Sequence, residues 1–198
     1  MAGMPCTFVR LAGCPLRCTY CDTLPAIPFD SGKSMAIDDV VERVKAWANP
    51  LVLVTGGEPL AQKTCIDLLQ ILLDTGAIVQ LETSGALDIS TVPIAVRKVV
   101  DIKTPGSGEE KRNRWQNLQY LSAHDEIKFV LTNQADYAWA KHVIHEKLQQ
   151  IPATILLSPC WGELNPEDLC AWILRDKLAV RMQIQMHKVI WGAEKTGV

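Results

Sequence analysis

The chain has 198 residues, 48% of them hydrophobic, a formal net charge of −2 and a pI near 6.1. That length and apolar content support a single domain over 1–198 with one core and leave little room for a second. The balanced charge gives no electrostatic basis for a nucleic-acid or membrane-surface partner, and no apolar run approaches the roughly 20 residues of a membrane helix, so a small-molecule partner and a cytoplasmic location are expected.

Along the chain, short β-branched runs alternate with Gly/Pro loops and segments of helical period, the pattern of repeated βα units. The first candidate strand, 5-PCTFVRLA-12, leads into 14-CPLRCTYC-21, where three of the seven cysteines fall together; in a reducing compartment such crowding signals metal chemistry rather than disulfides. Helix 38-DDVVERVKAWA-48 follows, with Val40, Val41, Val44, Trp47 and Ala48 on one stripe and Asp38 as its expected N-cap. Strand 51-LVLVT-55 ends in 55-TGGEP-59 and precedes helix 61-AQKTCIDLLQILLDT-75. Strand 77-AIVQLE-82 ends in 82-ETSG-85, and 97-RKVVDI-102 ends in 101-DIKTPGSG-108. The polar, glycine-rich stretch 104-TPGSGEEKRNRW-115 reads as a loop over a site. Strand 126-EIKFVL-131 and helix 135-ADYAWAKHVIHEKLQQ-150 come next, then 153-ATILLS-158, which ends in 158-SPC-160. Helix 166-PEDLCAWILRDK-177, with Pro166 in its first turn behind an Asn cap, and strand 180-VRMQIQM-186, ending at 187-HK-188, complete the series.

Strands separated by crossover helices run parallel, and six or seven repeats give either a doubly wound sheet or a partial barrel. The length favours an α/β partial (β/α) barrel of six to seven parallel strands. Every unusual motif then falls at the C-terminal edge of the strands, where folds of this kind gather their ligands.

Cys14, Cys18 and Cys21 can each hold a different iron of one cubane, which leaves the fourth iron open to a chelating ligand. A structural zinc site would need a fourth Cys or His nearby. The two glycines of TGGEP let backbone approach a ligand, and Glu58 adds a carboxylate beside the gap. Glu82, Ser84, Asp101 and Lys103 are polar groups at the ends of apolar strands, as fit to be solvated termini as to meet a ribose or a carboxylate.

Cys-x3-Cys-x2-Cys with Tyr20 before the last cysteine, followed by Gly-Gly-Glu-Pro on the second strand, is similar to the radical S-adenosylmethionine (SAM) signature. The resemblance implies a [4Fe–4S] cluster on Cys14, Cys18 and Cys21, Tyr20 near the adenine, Gly57 and Glu58 at the methionyl ammonium, and Glu82, Ser84, Asp101, Ile102 and Lys103 along the SAM pocket. VRLAGCPLRCTYCDT, TGGEP, ETSG, DIKTPGSG, IKFV and QMHK together resemble the 7-carboxy-7-deazaguanine synthase family of 7-deazapurine (queuosine-type) biosynthesis, and Asp and Thr directly after the third cysteine are the most discriminating piece. That family takes 6-carboxy-5,6,7,8-tetrahydropterin, removes the C6 hydrogen with a 5′-deoxyadenosyl radical, contracts the ring and expels ammonia, so the resemblance implies a carbon–nitrogen lyase. It further implies Mg2+ on Thr23, substrate contacts from Arg10, Thr55 and His187, an external reductant of flavodoxin or ferredoxin type, and a homodimer. Family members begin with a strand and a Gln-Gly-Glu-Gly turn before the segment matched by 4-MPCTFVRLAG-13; this chain opens almost at that segment, so either the start is truncated or the pterin is read differently. A terminal carboxylate also serves substrate in the family, and 189-VIWGAEKTGV-198 is not clearly placed to supply it. Two other readings are a glycyl-radical activating enzyme, disfavoured by Asp22 and Thr23, and a non-catalytic iron–sulfur or zinc protein, which would leave Gly57, Glu58, Asp101 and Lys103 without a joint purpose.

Overall fold

A computed structural model describes residue 1 and residues 3–195. Val198, with the terminal carboxylate considered above, lies outside the described residues. Seven strands, β1 (Cys6–Leu11), β2 (Leu51–Gly56), β3 (Ile78–Thr83), β4 (Arg97–Asp101), β5 (Glu126–Leu131), β6 (Thr154–Pro159) and β7 (Arg181–Met182), pair in sequence order and all in parallel. Sequential order excludes the doubly wound alternative, which requires the order to reverse. Among the described residues β1 and β7 do not pair, so the sheet is an open, partial barrel.

The strands differ sharply on their two faces because side chains alternate. Val9, Val54, Leu81, Val100, Ile127, Phe129 and Leu157 face outward into one core with the helices α1 (Ile37–Trp47), α2 (Cys65–Asp74), α3 (Gln134–Val143) and α4 (Pro166–Asp176). The strand register puts Arg10 beside Thr55, Glu82 beside Val99, Val99 beside Glu126, and Asp101 beside Lys128 on the opposite, inner face. The apolar half of each strand is thus spent on holding helices, and the polar half is left for the barrel interior.

Four local expectations change. α2, expected from residue 61, begins at Cys65 after a separate 3-10 turn at Pro59–Ala61. α1 begins one residue before Asp38 behind Ala36, whose side chain caps nothing; Asp38 and Asp39 instead sit in the first turn, where carboxylates favour the positive helix end. The helical run expected to 150 ends with a π turn at Ile144–Leu148. β7 is only two residues long, and the chain turns into a short helix, α5 (Met186–Trp191). Gln183 N still donates to Leu157 O at 3.0 Å, but the next β6 residue facing β7 is Pro159, which has no N–H to extend the ladder. The Asn165 cap on α4 is as expected, accepting from Glu167 N at 3.0 Å.

Candidate active site

The cysteine loop is fastened at its base and on its flank. Gly13 N donates to Ala26 O at 2.8 Å and Cys14 N to Ile27 O at 3.0 Å, closing the loop over the end of β1. Thr19 donates from N to Ser107 O at 3.0 Å and from Oγ1 to Gly106 O at 2.7 Å, while Arg17 N bonds Glu109. The stretch expected to cover the site, three short 3-10 turns over residues 105–120, therefore braces the loop. Cys14, Cys18 and Cys21 are all partly buried, and burial raises the thiol pKa of Cys14 and Cys18. Among the described residues no three His, Cys, Asp or Glu side chains are drawn together around a single metal ion.

Gly57 lies directly beneath this loop. A Cβ there would stand 2.6 Å from Gly13 O, 2.7 Å from Ala26 O and 2.7 Å from Cys14 Cβ, so only glycine lets the two segments touch. Glu58 N donates to Gly13 O at 2.8 Å and Gly57 N to Leu11 O at 3.0 Å, stitching β2 to the loop. The Glu58 carboxylate is placed differently from what its motif implied. It is fully buried, with Oε1 accepting from Leu60 N (3.0 Å) and Thr83 Oγ1 (2.9 Å), and Oε2 from Ser84 N (2.6 Å) and Ser84 Oγ. Those bonds use the lone pairs of a carboxylate. The group ties β2 to the end of β3, and Ser84 is turned toward it.

At the end of β4, Asp101 lies between two ammonium groups, Lys103 Nζ at 3.0 Å and Lys128 Nζ at 3.9 Å. Burial alone would raise the Asp101 pKa; the two lysines outweigh it and hold the carboxyl below its ordinary value. Burial would lower Lys103, and Asp101 reverses that, so both are charged at neutral pH. Ile102 is buried in the core, and Lys103 is pinned by Asn113, which accepts from its N and donates to its O, both at 2.8 Å. Tyr20 lies among Lys103, Asp101 and Cys18 with its phenol pKa pushed up by burial. Its hydroxyl is the buried side-chain polar atom without a well-formed hydrogen bond among the described residues; its neighbour Thr104 donates to Val130 O. Buried hydroxyls are normally paired. A hydroxyl of this kind beside the Cys18 thiol, a lysine and a carboxylate fits a polar cofactor seated against the cysteine loop.

On the inner face, Arg10 is exposed and rests its Nη1 3.3 Å from Gly56 O, while Thr55 Oγ1 lies 3.5 Å from Glu82 Oε2. Thr23 Oγ1 donates to Asp22 Oδ1 at 3.1 Å and does not cap the turn that follows. His187 lies in the first turn of α5, not at a strand end. Sequence reasoning passed over Lys128, although the alternation of Glu126 and Lys128 with apolar neighbours in EIKFVL signalled it, and it used Asp22 and the QMHK run only as marks of the family, giving Asp22, Gln185 and Lys188 no role in the site. Gln185 Nε2 and Lys188 Nζ both reach Asp22 Oδ2, at 2.6 and 3.1 Å; partial burial would raise the Asp22 pKa, and these bonds outweigh it and lower it. A hollow of about 680 Å³ between α1 and α2 adjoins the N-terminal ends of β2 and β3, away from all these groups.

The radical SAM superfamily model matches residues 9–102. The 7-carboxy-7-deazaguanine synthase of Chlorobaculum tepidum is 43% identical over all of this chain and 90% of its own length. That of Koribacter versatilis is 38% identical over 99% of this chain and 92% of its own. Among solved structures, QueE from Escherichia coli superposes with a TM-score of 0.66 at 22% identity, covering 92% of this chain and 86% of that one. Streptococcus suis SuiB bound to S-adenosylmethionine shares the fold at a TM-score of 0.65 and 13% identity, over 91% of this chain and 50% of its own.

Proposed function

Because the chain belongs to the 7-carboxy-7-deazaguanine synthase family of radical SAM enzymes, we propose that its C-terminal mouth converts 6-carboxy-5,6,7,8-tetrahydropterin to 7-carboxy-7-deazaguanine with loss of ammonia. The observation that carries the site reading is the buried, unpartnered Tyr20 hydroxyl among Cys18, Asp101 and Lys103. When bound, the cluster and SAM supply a one-electron cleavage of a carbon–sulfur bond and with it hydrogen abstraction. Cys14, Cys18 and Cys21 hold the cluster. Tyr20, Gly57, Glu82, Ser84, Asp101, Ile102 and Lys103 shape the SAM pocket, with Glu58 anchoring Gly57 and Ser84 from behind. Full-length relatives named as synthases favour neither a glycyl-radical activating enzyme nor a non-catalytic metal protein.

On the inner face Arg10 pairs with the pterin carboxylate in a charge-assisted contact, and Thr55 and His187 border the ring. Orientation is the protein's main contribution, because a small misplacement of the reacting carbon is costly in rate. Supporting a cytoplasmic location, all seven cysteines are free. The reading also includes a homodimer and an external reductant of flavodoxin or ferredoxin type.

Thr23 carries Mg2+. A neutral hydroxyl is a weak ligand alone, so Thr23 would hold the ion only together with the substrate carboxylate. Its hydroxyl is held by Asp22 and not spent on a turn cap, which leaves its lone pairs available. Magnesium should therefore stimulate wild-type turnover, and Thr23→Val should lose that stimulation while keeping its cluster and SAM cleavage. Superimposable magnesium titrations of the two proteins would remove Thr23 from the metal site.

A further inference from the structure

Two of the short motifs in this sequence, 21-CDT-23 and 185-QMHK-188, are partners in space. Asp22 Oδ2 takes the Gln185 amide at 2.6 Å and the Lys188 ammonium at 3.1 Å, while Asp22 Oδ1 takes the Thr23 hydroxyl at 3.1 Å. Asp22 follows β1 and Lys188 follows β7, the two strands that do not pair. These bonds therefore span the open seam of the barrel at the end where the cysteines lie. α5 is six residues long and leaves Met186, Val189, Ile190 and Trp191 exposed, so neither its length nor a buried apolar face holds it. Lys188, by contrast, is only 11% exposed, and an enclosed ammonium needs its counter-charge.

We propose that Lys188, aided by Gln185, is a positioning residue that clips the C-terminal helix across the seam to the turn after Cys21 and so sets His187 and Thr23 relative to each other. The proposal rests on the reading that both serve the substrate side. The cluster and SAM should be insensitive to the clip, because the cysteine loop has separate ties through Gly13–Ala26, Cys14–Ile27 and Thr19–Ser107. Breaking the clip should loosen α5 and weaken pterin binding without touching SAM cleavage.

The test uses the reconstituted, cluster-loaded protein as wild type, Lys188→Met, Lys188→Arg and Gln185→Ala. Backbone hydrogen exchange over residues 186–191, without substrate, reports the clip independently of turnover. In Lys188→Met it should quicken by about fivefold or more, the loss expected of one part-exposed ion pair with its hydrogen bond. The KM for pterin should rise by a similar factor with SAM cleavage unchanged; Lys188→Arg should restore most of both, and Gln185→Ala should fall between. Wild-type exchange in Lys188→Met overturns the clip, and faster exchange with an unchanged KM overturns its positioning role. Were the wild type itself to leave the pterin untouched, the substrate assignment would fall and with it the positioning role, while the exchange rates would still decide the clip.

Discussion

Alanine at Cys14, Cys18 or Cys21 should abolish SAM cleavage, whereas Cys65→Ala and Cys170→Ala should leave it near the wild-type rate. All seven thiols are free, so no disulfide confounds the comparison. The first three occupy one braced loop at the barrel mouth; Cys65 is buried in α2 among leucines, and Cys170 is exposed on α4. A cubane held through three irons loses an anchor with each substitution, and loss of iron removes the electron path to SAM. Wild type should bind about four irons and four sulfides per chain, the stoichiometry of a [4Fe–4S] cluster. Metal content and 5′-deoxyadenosine release under reducing, anaerobic conditions measure both quantities. Stoichiometric zinc in place of iron, or undiminished cleavage in any of the three variants, would sink the cluster assignment.

The second large effect is expected from a single methyl group. Gly57→Ala places a Cβ against two carbonyl oxygens and Cys14 Cβ, all within 2.7 Å. A flexible side chain could yield, but the two oxygens are backbone atoms already engaged. Gly13 O accepts from Glu58 N, and Ala26 O accepts from Gly13 N. Relief requires the loop to lift from β2 and give up those bonds. Overpacking at such a site costs about 1–3 kcal/mol, and here the strain falls on Cys14, a proposed cluster ligand. Gly57→Ala should therefore melt several degrees lower, load less than half the wild-type iron and lose at least tenfold in SAM cleavage, the last because small displacements are costly in rate. Normal iron loading and melting in this variant would show that the close approach is not required.

The strands were legible because each is an apolar, β-branched run ended by a turn motif; β5 has the expected bounds, and β1 to β4 and β6 shift by about a residue. The placement of the motifs at one end followed from parallel connectivity alone. Orientation was less accessible. The Gly-Gly-Glu motif suggests a ligand-facing carboxylate, but Thr83 and Ser84 lie far enough along the chain that their claim on Glu58 shows only in the fold. The Asp22 clip joins residues 163 and 166 positions apart, beyond any local periodicity. β7 is short because of a proline on its neighbour, a cross-strand effect that no reading of 180-VRMQIQM-186 by itself contains.

The central claim is that this mouth performs the synthase reaction. It is tested most directly by incubating the anaerobically reconstituted, reduced protein with SAM, magnesium and 6-carboxy-5,6,7,8-tetrahydropterin and analysing the products by mass spectrometry. The account predicts 7-carboxy-7-deazaguanine and ammonia in equal amounts, with no product when SAM or the reductant is withheld. Cleavage of SAM to 5′-deoxyadenosine with the pterin recovered unchanged would contradict it.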